Sequence, residues 1–224
     1  NGYNNQYEKY TEADIKNSSD AIDNFFNRYY FFKYYLDDDK EYNEYLKIYK
    51  DNEKYHYLTG PISNWNTINV TNMSGSFDFS TATNERLKNF NEKLGNWNVS
   101  KVTKMQDMFN GCKKFNQDIS KWKINKVTNT SNMFKNCIMF NSDLSKWNTS
   151  LITDMSYMFY NCENFTSNIY YWSVECVENM TRMFYNCKIF NSDLSIWNVE
   201  NVTDMSYMFW NCENLRNDIF KRNI

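Results

Sequence analysis

Five of the six cysteines recur at a fixed interval, and they are the first residues that could carry chemistry. They lie 25 residues apart, at Cys112, Cys137, Cys162, Cys187 and Cys212. A zinc site needs ligands that converge on one point, whereas one thiol per repeat distributes them along an axis. Each of these thiols follows an apolar stripe, where cysteine behaves as a small buried hydrophobic residue. We therefore predict free structural cysteines, with Cys176 outside the register and exposed.

A ladder of acidic side chains shares the same interval. Its members are Asp118, Asp143, Asp193 and Asp218, with Asn168 between them. Carboxylates on adjacent units would repel one another unless each finds a partner. Either each accepts hydrogen bonds from serine or backbone groups in its own turn, or a cation binds between repeats. We favour the first interpretation because no glycine-rich ligand loop accompanies the ladder, and we predict no metal and no cofactor.

Catalysis finds little support in this sequence. His56 is the only histidine, and no glycine-rich phosphate loop or nucleophile elbow is visible. The formal net charge is -2 without a basic stripe, which argues against a nucleic-acid partner. No apolar run reaches the roughly 18 residues of a membrane span. We expect a protein that is not an enzyme.

Aromatic residues keep the cysteine interval and so define the unit that positions all of these side chains. Tryptophans lie 25 residues apart from Trp97 to Trp197, and phenylalanines from Phe109 to Phe209. A fixed period of this size is typical of a solenoid, in which each unit packs mainly on its two neighbours. We predict a solenoid over residues 58–224, with a longer first unit that carries an insertion between Phe77 and Phe90. The predicted unit starts are Trp65, Trp97, Trp122, Trp147, Trp172 and Trp197.

Within one unit, the spacing of apolar residues predicts a short helix followed by an extended segment. Met205, Met208, Phe209 and Cys212 fall at i, i+3, i+4 and i+7, with Thr203 as the predicted N-cap. The segment after each cysteine, such as residues 115–122, lacks this period. We therefore predict an α/β repeat fold, with short parallel strands on one side of the solenoid and short helices on the other.

Residues 1–57 carry a different pattern. Aromatic and aliphatic side chains at helical spacing predict an α-helical hairpin over about 18–35 and 39–52. The first unit of a solenoid has an apolar end without a neighbour. We interpret this N-terminal region as a cap on that end, or as a docking element for a partner.

Positions that differ between repeats are where specificity could lie. Tyr160, Tyr185 and Trp210 replace Asn110 and Lys135. Two further aromatic residues are expected nearby, Tyr157 and Tyr207. Exposed tyrosine and tryptophan are favoured in interfaces, so these five are the candidate partner-binding residues. The alternative is that they partly cover neighbouring repeats.

The full pattern of the unit is similar to that of a known family. It reads Trp-x-Val-x-x-Val-Thr-x-Met-x-x-Met-Phe-x-x-Cys-x-x-Phe-Asn-x-Asp-Ile/Leu at 97–119 and again at 197–219, with Leu215 and Arg216 in place of Phe-Asn. This resembles the BspA-type leucine-rich-like repeat of mycoplasma and other bacterial surface lipoproteins. The resemblance covers roughly 58–224, and implies a right-handed leucine-rich-repeat-like solenoid, export to the cell surface, and a role in adhesion or antigenic variation.

Two functions are compatible with these observations. The first is a non-enzymatic cell-surface protein that binds a protein or glycan through one face of the solenoid, with membrane attachment through a lipid anchor outside this chain. The alternative is a structural component of a larger assembly, such as a viral particle or a surface layer, docked through its N-terminal helices.

Overall fold

The computed structural model describes residues 62–64, 67–82 and 88–216. The predicted helical hairpin, the whole of residues 1–57, the first predicted unit start Trp65 and the last acidic residue Asp218 lie outside the described residues. The division into an N-terminal cap and a repeat domain therefore stays a prediction. Among the described residues, a short 3-10 helix spans Ile62–Asn64.

Successive repeats meet through isolated parallel β-bridges between equivalent residues. Between the two end members of the series, each bridging residue pairs with its counterpart in the preceding and the following unit, so the units stack in chain order. The bridges are Asn72 to Lys104, Lys104 to Asn129, Asn129 to Asp154, Asp154 to Asn179 and Asn179 to Asp204. Any residue type that recurs at the repeat interval is consequently brought into a column along the stack.

The Met-x-x-Met-Phe-x-x-Cys segments form consecutive β-turns, and the prediction of short helices there was wrong. In the unit that begins at Trp147, Met158 N donates to Met155 O at 3.2 Å and Cys162 N donates to Phe159 O at 2.9 Å. These are i to i+3 turn bonds. The alternate amides donate to the next repeat instead, as when Tyr157 N bonds Thr181 O at 2.8 Å. Half of the amides that a helix would use internally therefore hold neighbouring units together.

The ladder of parallel backbone bonds thus runs through the segment predicted to be helical, and not through the segment predicted to be extended. The latter segments are linked by side chains: Asn141 N donates to Asn116 Oδ1 at 2.8 Å, and Thr166 N donates to Asn141 Oδ1 at 2.8 Å. The predicted N-cap threonines also act between repeats. Thr203 Oγ1 donates to Glu178 O at 2.9 Å, in the preceding unit.

Left-handed backbone is required twice in every one of these turn segments. Turns with a positive φ at their third residue favour glycine or asparagine, the residues that adopt this conformation most easily. The second such position is occupied by Gly111, Asn136, Asn161, Asn186 and Asn211. Its asparagines form a ladder in which Asn161 Nδ2 donates to Asn136 Oδ1 at 2.9 Å, and Asn186 Nδ2 donates to Asn161 Oδ1 at 3.1 Å.

Columns of stacked aromatic rings fill the interior. Phe134 and Phe159 are fully buried and nearly parallel, with centroids 5.7 Å apart, and the step from Phe159 to Phe184 is 5.6 Å. The tryptophans form a second column whose indole N–H groups bond backbone of the preceding repeat, as when Trp172 Nε1 donates to Leu144 O at 2.9 Å. Burying each such ring contributes about 2 to 3 kcal/mol, so every repeat that adds rings to these columns stabilises the stack.

The insertion in the first unit explains why one left-handed position holds glycine. Phe79 N donates to Asn110 O at 2.8 Å, which brings the start of the insertion onto the next turn segment. A Cβ on Gly111 would lie 2.7 Å from Ser80 N and 2.8 Å from Phe79 C. Backbone atoms cannot move aside cheaply, so the asparagine of the later repeats does not fit at this position.

Replacing Gly111 by alanine is expected to lower the free energy of unfolding by about 2 to 3 kcal/mol, because the added methyl overlaps backbone of the insertion. The matched control is Gly75→Ala. Gly75 also has a positive φ, of 65°, but an added Cβ meets nothing within 4 Å. That variant should lose only the left-handed cost of about 1 kcal/mol. Urea unfolding of both variants gives the comparison, and equal losses would contradict the close approach.

Candidate functional site

The five candidate aromatic residues lie in two neighbouring columns of the turn segments. The first column runs through Asp107, Asn132, Tyr157, Arg182 and Tyr207, and the second through Asn110, Lys135, Tyr160, Tyr185 and Trp210. Because the two columns are three residues apart in consecutive turns, their side chains can meet. We call Lys135, Tyr157, Tyr160, Arg182, Tyr185, Tyr207 and Trp210 the Tyr–cation strip.

Ring contacts join the aromatic members of the strip. Tyr160 and Tyr185 stack with centroids 4.7 Å apart and planes within 12°. Tyr157 lies 5.8 Å from Tyr160, and Tyr207 meets Trp210 edge to face at 5.7 Å. The structure therefore brings all five predicted residues onto one surface. Tyr157, Tyr160 and Tyr185 form one group of touching rings, and Tyr207 and Trp210 form the other.

Two cations contact these rings, and the sequence interpretation missed both. Arg182 connects the two groups, whereas Lys135 contacts only the group of three. Arg182 Cζ lies 5.6 Å from the Tyr157 ring centroid and 5.1 Å from that of Tyr207. Lys135 Nζ lies 4.9 Å from the Tyr157 ring and 5.6 Å from the Tyr160 ring. Such cation–π contacts are each worth about 0.5 to 1 kcal/mol at partly exposed sites. The signal in the sequence is the repeat interval itself, which places Arg182 between Tyr157 and Tyr207.

The first column imposes a backbone cost on its large residues. Tyr157, Arg182 and Tyr207 have φ values of 56°, 53° and 58°, in the left-handed region. Asp107 and Asn132 occupy the same position at 57° and 55°, and short polar residues of this kind tolerate that conformation better. Bulky side chains at such positions signal either strain or function. Backbone geometry alone therefore does not account for the tyrosines and the arginine.

The exposed fraction of each side chain bears on the two interpretations of the strip, as a partner-binding surface or as cover for neighbouring repeats. Tyr207 and Trp210 are 55% and 57% exposed, whereas Tyr157, Tyr160 and Tyr185 are half-buried. The three central tyrosines thus cover neighbouring repeats and still reach the surface. Lys135 and Arg182 are half-buried as well.

The acidic ladder is committed to local turns, which confirms the first of its two interpretations for the described members. Asp118 Oδ1 accepts from Ser120 N at 2.9 Å, and Asp193 Oδ1 accepts from Ser195 N at 2.8 Å. Hydrogen bonds from Ser120 hold the pKa of the Asp118 carboxyl below its usual value. Among residues 62–64, 67–82 and 88–216, no group of three or more His, Cys, Asp or Glu residues could hold a metal ion.

The described cysteines are free thiols, as predicted, and Cys176 is exposed. The recurring thiols donate to a phenylalanine carbonyl of the preceding repeat, as when Cys162 Sγ bonds Phe134 O at 3.0 Å. Burial raises the pKa of Cys162 well above its usual value, and that of Cys212 to about 11. Since thiolate is the reactive form, this column is built for packing and not for chemistry.

Stacked units with matching columns define a tandem-repeat protein. The family model described as "Mycoplasma protein of unknown function, DUF285" matches residues 46–166 and 139–224. These matches cover more than half of the chain, which therefore belongs to this family. The match agrees with the mycoplasma part of the resemblance, while the finer BspA-type assignment stays a prediction. Comparisons with curated proteins and with solved structures gave no match.

Within residues 62–64, 67–82 and 88–216, no helix combines the length and the apolar character needed to span a membrane.

Thiol labelling should separate Cys176 from the column. At about pH 8 in native protein, a maleimide is expected to modify Cys176 rapidly and the other described cysteines slowly. At that pH a thiol with a pKa of about 11 is ionised in only about one molecule in a thousand. Labelling of Cys212 should speed up as the pH rises towards that value. Cys176→Ser should abolish the rapid phase, and rapid modification of several thiols in the native state would contradict the burial.

Tyr157→Asn introduces the residue that the preceding repeat has at the same place. We expect the free energy of unfolding to change by less than about 1 kcal/mol, because relief of the left-handed strain offsets the lost cation–π contacts. Phe159→Ala, two residues away in the core, should cost about 3 to 5 kcal/mol. Urea unfolding measures both. A loss for Tyr157→Asn comparable with that for Phe159→Ala would make this tyrosine a structural residue.

Proposed function

We propose that the protein is a non-enzymatic binding protein whose Tyr–cation strip contacts a macromolecular partner. One observation carries this proposal: Tyr157, Arg182 and Tyr207 retain large side chains at left-handed backbone positions. Asparagine would satisfy the turn at lower cost, as Asn132 does. A large side chain in the left-handed region costs free energy without stabilising the turn, and such strain is typical of functional residues.

The composition of the strip supports binding. Tyrosine, tryptophan and arginine are the residues most enriched among those that dominate interface energies. Here these residues form, together with Lys135, a surface over the repeats that begin at Trp122, Trp147, Trp172 and Trp197. Cation–π and ring contacts also hold the side chains in place before a partner arrives, which reduces the entropy lost on binding.

We also propose that the chain is a leucine-rich-repeat-like solenoid and that it lies at the cell surface. Parallel bridges between equivalent residues and continuous aromatic columns support a leucine-rich-repeat-like solenoid, and the resemblance implies that it is right-handed. The likeness of the repeat pattern to that of bacterial surface lipoproteins, together with membership of a mycoplasma family, supports a cell-surface protein in adhesion or host contact. Attachment through a lipid anchor is part of the same proposal.

The test is a screen of the full chain on peptide and glycan arrays, followed by affinity measurements for the captured ligand with strip variants. Tyr185→Ala and Trp210→Ala should each weaken binding by at least about tenfold, since truncation of a central aromatic residue commonly costs 2 kcal/mol or more. The control is Tyr171→Ala. Tyr171 is 77% exposed but lies outside the strip. Equal effects of all three substitutions, or none, would overturn the proposal.

A further inference from the structure

Among the described residues, the two cations of the strip have no carboxylate within ion-pair distance. Arg182 donates from Nη1 to Tyr157 Oη at 2.8 Å and otherwise contacts ring faces. Lys135 contacts the rings of Tyr157 and Tyr160. Elsewhere Lys188 is paired with Glu163 at 2.7 Å, so the same stretch of chain does supply an acidic partner where one is needed. Asp107, in the repeat before Lys135, is the carboxylate to consider here. Burial raises the pKa of its carboxyl and attraction to Lys135 opposes that rise, but Asp107 forms no ion pair with the ammonium group. Lys135 and Arg182 therefore keep donor groups available for a ligand.

The chemistry of that ligand follows from how the rings are covered. Lys135, from the preceding repeat, lies over the rings of Tyr157 and Tyr160. From the following repeat, Arg182 lies over Tyr157, and Tyr185 stacks on Tyr160. The faces of these two rings are thus occupied and are not open to the flat side of a sugar. What the centre of the strip presents is ring edges, hydroxyl groups and cationic donors. Ring edges are electropositive, so this surface favours acceptor-rich, negatively charged groups.

The spacing of the cations indicates a linear ligand. Lys135 and Arg182 belong to repeats two steps apart, and the steps between equivalent rings are 5.7 Å and 5.6 Å. An extended polypeptide advances about 3.3 Å per residue, so three or four residues cover the two steps. Carboxylates at that separation in one chain can reach both cations together.

We propose that the Tyr–cation strip binds an extended acidic segment of a polypeptide, with one carboxylate on Lys135 and another on Arg182. This inference rests on the proposed binding function and specifies its partner. The carboxylates accept hydrogen bonds from the ammonium and guanidinium groups, and the hydroxyl of Tyr157 lies beside the second of these contacts. No covalent step is involved.

The test uses the full chain and a fluorescein-labelled peptide of nine residues, with glutamate at its third and seventh positions and serine and alanine elsewhere. Side chains of an extended chain alternate between two faces, so residues four apart point the same way. Binding is followed by fluorescence anisotropy at about 20 mM and about 150 mM salt, because screening weakens exposed charge pairs. The matched probe carries glutamine in place of both glutamates. We expect the glutamate peptide to bind at low salt, more weakly at high salt, and at least about tenfold more tightly than the glutamine peptide.

The protein variants are Lys135→Gln and Arg182→Gln, with Lys146→Gln as a control of equal charge change. Lys146 is exposed and lies outside the strip. Each strip variant should weaken binding by about fivefold, and the control should leave it unchanged. Circular dichroism and urea unfolding confirm that the variants are folded.

Equal weakening by all three variants would show attraction to overall charge and overturn the inference. Failure of the glutamate peptide to bind, together with strip-dependent capture of a glycan or an uncharged peptide on the arrays, would also overturn it but would leave the proposed function standing. Failure of every array ligand and of this peptide would overturn both.

Discussion

The fold depends on the division of backbone amides between turns and neighbouring repeats. In the turn segments of the repeats that begin at Trp97, Trp122, Trp147 and Trp172, alternate N–H groups close turns within the unit, while those between them donate to the following unit. A helix would consume these donors internally and leave each unit without a backbone partner on either side. Because the donors point outward along the stack, every residue is held beside its counterpart 25 positions away. The tryptophan, phenylalanine, asparagine and cysteine columns all follow from that register.

The same arrangement explains which residues can vary. Positions facing the interior must stack on themselves, and the rings of Phe134 and Phe159 show no exposed area. The left-handed positions must tolerate a positive φ, which favours glycine and asparagine. In the asparagine column preceding each cysteine this demand is met in four successive repeats, and the side chains add hydrogen bonds between units. In the column of Tyr157 and Arg182 it is overridden, and the strip arises there.

The strip combines two properties that are usually separate. Its tyrosines are half-buried and stabilise neighbouring repeats through stacking, while its cations lie against those rings without a carboxylate in contact among the described residues. A cation held against aromatic faces keeps its charge but loses rotational freedom. Such a surface is preorganised for an anionic partner, and its selectivity comes from spacing that the repeat imposes.

The amino-acid sequence by itself determined the period, the register and the composition of the columns. A residue such as Trp172 or Phe184 that recurs at one interval has to meet its own counterparts once the units stack. It also identified Tyr160, Tyr185 and Trp210 as departures from the pattern, and the recurring cysteines as free thiols. Tertiary structure alone decided the local backbone, because apolar residues at i, i+3, i+4 and i+7 fit a chain of β-turns as well as a helix. The bonds that favour the turns lie between repeats, beyond the reach of local spacing. Tertiary structure alone also placed Lys135 and Arg182 over the tyrosine rings. Those contacts join side chains of different repeats and depend on the left-handed backbone that directs the side chains.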